Sequence, residues 1–130
     1  MPTDLTIVLP DRPGALKTAW DELRDAGVNI DGACGFPARG QTWLILHVLV
    51  RDGGAARKAI EAAGFQVGDE REVEVRVLEN RPGALAEVFQ SYAEGGRNVD
   101  LIYLGADNSV VIGTDDMYAQ RPGVTVGEKP

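Results

Sequence analysis

A short turn motif occurs twice in this chain, in the same order and the same surroundings. The first copy reads Asp11-Arg12-Pro13-Gly14-Ala15-Leu16 and the second Asn80-Arg81-Pro82-Gly83-Ala84-Leu85. Each follows a run of strand composition, Leu5 to Leu9 and Val73 to Leu78, and each opens a run with helical spacing. At the same offset Gly27-Val28-Asn29-Ile30-Asp31 pairs with Gly96-Arg97-Asn98-Val99-Asp100. A single Arg-Pro-Gly is an ordinary turn or helix start. Two matches at one offset make an internal repeat, and a repeat decides architecture ahead of local propensity. It divides the chain into residues 1–70 and 71–130. Units of that size bury a modest fraction of their surface and are marginal alone, so the halves are expected to share a core or a sheet.

Within the first unit, Leu5 to Leu9 reads as a strand ended by Pro10. Asp11 is the expected helix N-cap, with Pro13 in the first turn. Leu16, Ala19, Trp20 and Leu23 then form an apolar stripe closed by Gly27. Val28 to Phe36 reads as a second strand and Pro37 to Gly40 as a hairpin loop. Thr42 to Val50 is the most apolar run. It has apolar residues on both faces, so cover is expected on both sides. Gly53-Gly54 opens a second helix with Ala56, Ala59, Ile60 and Ala63 buried, and Phe65 to Val67 makes a fourth strand. The order is βαββαβ, the ferredoxin-like arrangement, with both helices on one face of an antiparallel sheet.

The second unit repeats this in shortened form. Val73, Val75 and Val77 alternate with Glu74 and Arg76 in a half-buried strand. Leu85, Val88, Phe89 and Tyr92 give the helix stripe, Val99 to Leu104 the next strand, and Val110 to Ile112 a third. The hairpin is short, and Asp115 to Gly123 leaves room for two helical turns. Gly123 to Gly127 echoes Gly64 to Gly68 as a fourth strand, and the last residues, 128–130, are expected to fray. The fold class is therefore α+β, two ferredoxin-like units in tandem with the second truncated. Gly68 to Glu72 is too short for a flexible tether, so the units should be fixed relative to one another.

Several function classes lack support. The net charge is −7 and both halves are acidic, whereas phosphate-backbone binding needs a concentrated basic face, so no nucleic acid is expected. No apolar run is long enough to span a membrane, and residues 1–10 lack the pattern of a signal peptide. The single cysteine, Cys34, cannot form an internal disulfide, which makes a reducing cytoplasm the expected compartment. The only histidine, His47, lies in the most apolar strand and reads as a packed, locally bonded side chain rather than an acid-base group. Cys34 reads as a buried, inert thiol rather than a nucleophile. These two are too few for a metal site, and Asp115-Asp116 suits a solvated helix start as well as a cation. No metal, no cofactor and no catalytic set are expected.

What remains is the repeated strand-to-helix turn. Gly14 and Gly83 carry no Cβ, so a ligand can approach the backbone there. The N–H groups of Gly14, Ala15 and Leu16, and of Gly83, Ala84 and Leu85, stand at the positive end of a helix, a place that accepts carboxylates. Asp11 and Asn80 stand at the rim with groups suited to an ammonium. Asn29 and Asn98, at the start of the second strand, are expected beside the turn. An α-amino acid fits this set of donors and acceptors, and helix capping alone is the competing reading; the residues leave both open.

These residues are also where a resemblance appears. Strand, Asp/Asn-Arg-Pro-Gly-Ala-Leu, amphipathic helix, then Gly-(Val/Arg)-Asn-(Ile/Val)-Asp resembles the ACT domain, a family of small ferredoxin-like modules that bind amino acids and regulate metabolic enzymes. The first unit matches along its length, and the second matches to about Leu104 before departing. The resemblance implies a tandem ACT protein without catalytic activity, modulating a separate enzyme in trans. It also implies ligand sites between neighbouring units and two units side by side in one continuous sheet. With the whole turn counted, the candidate ligand-binding residues are Asp11, Arg12, Gly14, Ala15, Leu16 and Asn29, and Asn80, Arg81, Gly83, Ala84, Leu85 and Asn98. The alternative is a protein that binds no ligand and only dimerises or docks on an enzyme.

Two further expectations follow. Leu5, Ile7 and Leu9 align with Glu74, Arg76 and Leu78, so a face charged in unit two is apolar in unit one. With Trp43 to Val50 lacking a solvent face, this predicts a homodimer or larger homo-oligomer that covers unit one's helix-free face. Asn80 offers donor and acceptor whereas ionised Asp11 only accepts, which predicts two unequal sites.

Overall fold

The computed structural model describes residues 2–119. The first unit runs β1 (Thr3–Pro10), α1 (Ala15–Asp25), β2 (Gly32–Pro37), β3 (Trp43–Val50), α2 (Gly53–Ala62) and β4 (Gln66–Glu72). Its sheet is antiparallel in the order β2-β3-β1-β4. β1 and β3 pair without interruption from Thr3↔Val50 to Pro10↔Trp43. Strand alternation therefore sends Leu5, Ile7, Leu9, Leu46, Val48 and Val50 to one face, where they are buried against Ala15, Ala19 and Leu23 of α1 and Ala56 and Ile60 of α2. Each of these large aliphatic side chains contributes about 1.5–3 kcal/mol by leaving water.

The helix starts differ from expectation at one end. The N-cap of α1 is Gly14 at φ +90°, with no side-chain cap, and Asp11 is exposed and outside the helix. A φ of that sign is open to glycine at little cost, and Gly83 repeats it at +87° before the third helix. Asp11 instead gives its backbone N–H to the Thr42 carbonyl, tying the turn to the hairpin. At α2 the cap is Asp52, whose carboxylate accepts from the Ala55 N–H. The helices end where the glycines forecast. After α1, for example, Val28 N–H bonds Leu23 O and Gly27 N–H bonds Arg24 O, a Schellman closure.

Two strands have bounds the sequence pattern obscured. β2 begins only at Gly32, because Val28 and Ile30 first pack onto the core at the end of α1. β4 extends through Asp69, Glu70, Arg71 and Glu72, well past Val67. It is an edge strand, where charged residues are at home and apolar alternation fades.

The second unit runs β5 (Glu74–Val77), α3 (Ala84–Glu94), β6 (Val99–Leu104), β7 (Ser109–Thr114) and α4 (Asp115–Ala119), with sheet order β5-β7-β6. Leu78, Val99, Val110 and Ile112 pack under Leu85, Val88, Phe89 and Tyr92 of α3. β5 presents the opposite face from the one its alternation suggested. Glu74 and Arg76 point to the helix: Glu74 accepts from the Tyr92 hydroxyl and pairs with Arg97 at 3.0 Å, and Arg76 lies over the Tyr92 ring. Val77 is 82% exposed. The anticipated strand at 123–127 and the frayed end at 128–130 lie outside the described residues.

Only Val73 separates β4 from β5, and it is fully buried, its N–H bonded to the Pro2 carbonyl. That short link folds the second sheet onto the helix-free face of the first. Leu49, Val73, Tyr103 and Val111 form the seam, with Cys34 and Leu101 at its margin. The two sheets are not one continuous sheet; a single antiparallel bridge, Gly32↔Gly105, joins them. The premise for self-association changes accordingly. Leu5, Ile7 and Leu9 lie under the helices, and part of the helix-free face is covered by the chain's own second unit. No helix among the described residues is long and apolar enough to cross a membrane.

Candidate functional site

The two copies of the turn share a backbone and differ in their surroundings. At the first, β1 continues to Pro10, which pairs with Trp43, and Leu9 is fully buried. The open side of Gly14 has nothing within 4 Å of where a Cβ would stand. Asp11 and Arg12 are exposed, and no acidic side chain among the described residues lies within ion-pair distance of Arg12. Leu16 lines a separate apolar cleft with Trp20, Ala33, Cys34 and Leu44.

At the second, β5 stops at Val77, and Leu78 N–H bonds the Asn108 carbonyl at 2.7 Å. Asp107 and Asn108 both sit at φ 57°, the geometry of a tight hairpin turn between β6 and β7. That short hairpin leaves a cleft of about 390 Å³ between the turn and the end of β6. Asn80, Arg81, Gly83, Ala84 and Leu85 line it from the turn, and Leu104, Asn108 and Ser109 from the hairpin. The volume is in the range of small-molecule sites.

The electrostatics of this cleft are internally balanced. Arg81 donates from Nε to Glu79 and from Nη2 to Glu87, each at 2.6 Å. The guanidinium holds the Glu87 carboxyl below its ordinary value, and the two carboxylates push Arg81 further up. The Ser109 hydroxyl donates its proton to the Ala106 carbonyl at 2.6 Å. The side-chain amides of Asn80 and Asn108 make no hydrogen bond among the described residues. Of the N–H groups named at the helix starts, Ala15 and Ala84 bond back to Arg12 O and Arg81 O at 3.3 and 3.4 Å. Helix-end donors are thus fewer than the sequence suggested.

Asn29 and Asn98 do not sit beside their own turns. Each follows the C-terminal end of a helix whose N-terminus carries the turn, and an 11-residue helix spans roughly 16 Å. Asn29 donates to Asp31 at 2.7 Å and Asn98 to Asp115 at 2.9 Å, so both amides have local partners. The start of β2 instead reaches the other unit: Ala106 N–H bonds the Asp31 carbonyl at 2.8 Å, next to Gly105 of the cleft. Leu78, Leu104, Asn108 and Ser109 were missed in the sequence. The Asp107-Asn108 pair was their one local signal, because both residue types tolerate the left-handed turn.

A second polar cluster lies in the seam. Asp4, fully buried, accepts from the Tyr103 hydroxyl at 2.6 Å and from His47 Nδ1 at 2.9 Å. A carboxylate only accepts, so the proton on Nδ1 belongs to the imidazole. Burial, then the Asp4 charge, pushes the Tyr103 phenol up. The same two causes raise the Cys34 thiol, which disfavours the reactive thiolate. Arg71 crosses between the units, bonding Asp100 at 2.8 Å and the Thr114 carbonyl at 3.1 Å. Among the described residues no group of three His, Cys, Asp or Glu side chains could hold a metal ion.

Two βαββ-based units with a cleft at the strand-to-helix turn define the class: the chain has the tandem ACT-domain fold. No family profile and no curated protein matches the chain. Among solved structures it is similar to the protein BT0572 from Bacteroides thetaiotaomicron, at 28% identity and TM-score 0.75 over 86% of this chain and 78% of that one. It is similar in fold to the regulatory subunit of aspartate kinase from Thermus thermophilus, at 18% identity and TM-score 0.67 over 87% and 82% of the two chains. The corresponding subunit from Thermus flavus gives 21% identity and TM-score 0.60 over 92% and 86%.

Proposed function

We propose that this protein is a regulatory module without catalytic activity that binds an amino acid in the cleft of the second turn and modulates a separate enzyme. The observation that carries the reading is the cleft itself, lined by Asn80 and Asn108, whose carboxamides make no hydrogen bond among the described residues, together with the glycine turn before α3. A carboxamide supplies both donor and acceptor, so this pair can meet an α-ammonium and an α-carboxylate together. The ACT-type fold, and its likeness to a kinase regulatory subunit, support the regulatory half of the reading. This reading uses the cleft of the second turn, and so proposes one site per chain where the sequence suggested two unequal sites.

Self-association belongs to the same reading, on a different surface. β2 is an edge strand, and Phe36 and Trp43 near its end are 48% and 40% exposed. Sedimentation is expected to show a mass above the monomer; a monomer at every concentration would remove this part. The ligand reading is tested by thermal unfolding of the chain with each of the twenty amino acids. Ligand at a hundred times its Kd stabilises by about 2.7 kcal/mol. No shift with any of them, at millimolar concentration, would leave the ligand-free interaction protein as the surviving description.

A further inference from the structure

We infer that the cleft at the second turn selects an amino acid whose side chain is aliphatic and uncharged, an inference that rests on the amino-acid reading above. The unspent polar side chains of the cleft are the amides of Asn80 and Asn108. A bound amino acid uses those, with the turn at Gly83, for its own ammonium and carboxylate. The Ser109 hydroxyl has given its one proton to the Ala106 carbonyl and keeps only acceptor capacity, so a side-chain carbonyl or carboxylate finds no free hydroxyl donor there.

The charged lining residues argue the same way. They are Glu79 and Arg81, paired with each other at 2.6 Å, and Arg81 is held on its other side by Glu87. Arg81 keeps Nη1, and Glu79 its second oxygen, for further bonds, but the opposed charges of the two cancel, so the lining draws neither an acidic nor a basic side chain strongly. The walls left for a side chain are Leu78, Leu85 and Leu104, with Ala84 and Ala86. Leu104 is 61% exposed, so apolar surface stands ready at the rim. The repeat places Gly35 in the first unit where the second has Leu104. The first unit therefore has no leucine at the position that walls the second unit's cleft.

Calorimetric titration of the full chain with leucine, isoleucine and valine, and with serine, glutamine, aspartate and lysine, tests this. The aliphatic three are expected to bind about tenfold or more tightly than the other four, since burying two further methylenes is worth about that factor. Leu104→Ala, at an exposed edge position that leaves the core intact, is expected to weaken leucine binding by about the same factor. Equal or tighter binding of a polar or charged amino acid would overturn the side-chain assignment and leave the amino-acid reading standing. Binding of leucine unchanged in Leu104→Ala would overturn the assignment of this wall. Binding of none of the seven, together with no thermal shift across the twenty, would overturn both readings.

Discussion

Gly83 and Gly14 hold the same left-handed conformation in different surroundings: Gly83 borders the cleft of about 390 Å³, whereas the space beside Gly14 is open. A side chain at either costs roughly 1–2 kcal/mol for the αL backbone alone, so Gly14→Val and Gly83→Val should both unfold at lower denaturant than the parent. Their binding should diverge. Gly83→Val is expected to abolish the amino-acid affinity of the parent, and Gly14→Val to retain it, in calorimetry on variants shown to be folded. Loss of binding in both would return the first turn to the site. The motif around these glycines was plain in the sequence, because a turn is a local property. The neighbours that make one copy a cleft, Leu104 and Asn108, come from a hairpin distant in the chain and were not legible.

Among the elements, β5 best shows where periodicity misleads. Its valines seemed to mark the buried side, but Glu74, Arg76 and Leu78 occupy the positions of Leu5, Ile7 and Leu9 and so face the helix. Tyr92 makes this tolerable, its hydroxyl bonding Glu74 and its ring meeting the guanidinium groups of Arg76 and Arg97. Chiefly through that hydroxyl, and then through Arg97, the Glu74 carboxyl titrates below its ordinary value of 4.5. The stability it supplies is full above 4.5 and lost as pH falls through the lower folded value. Glu74→Gln should therefore be less stable than the parent at neutral pH, with the gap closing in urea titrations as pH falls below 4.5 and through the lower folded value. The crossing of β2 and β6 makes a separate demand. A Cβ on Gly105 would stand 2.6 Å from Ser109 Oγ and 2.9 Å from the Asp31 carbonyl. Gly105→Ala is expected to destabilise by about 1–3 kcal/mol through overpacking, read as a lower unfolding midpoint.

For the whole molecule, the seam between the sheets is the feature that makes two marginal units one body. Its polar centre is the buried Asp4 carboxylate, held by Tyr103 from the other unit and His47 from its own. Tyr103→Phe removes a donor to a buried carboxylate and is expected to cost about 1.5–3 kcal/mol in equilibrium unfolding. Parent-like stability would mean that water replaces the hydroxyl and that the seam admits solvent. From the sequence by itself came the repeat, the α+β class, the helix stripes and their glycine ends, and the turn as the place to look. All of these rest on contacts within a few residues along the chain or on side-chain alternation. Tertiary structure alone decided which face the second unit covers, what surrounds each copy of the turn, and that Asn29 and Asn98 stand a helix length from their own turns. Those depend on a one-residue link at Val73, on where β1 and β5 stop pairing, and on the direction a helix takes back across its sheet. Each is a matter of packing between distant segments, which local pattern does not encode.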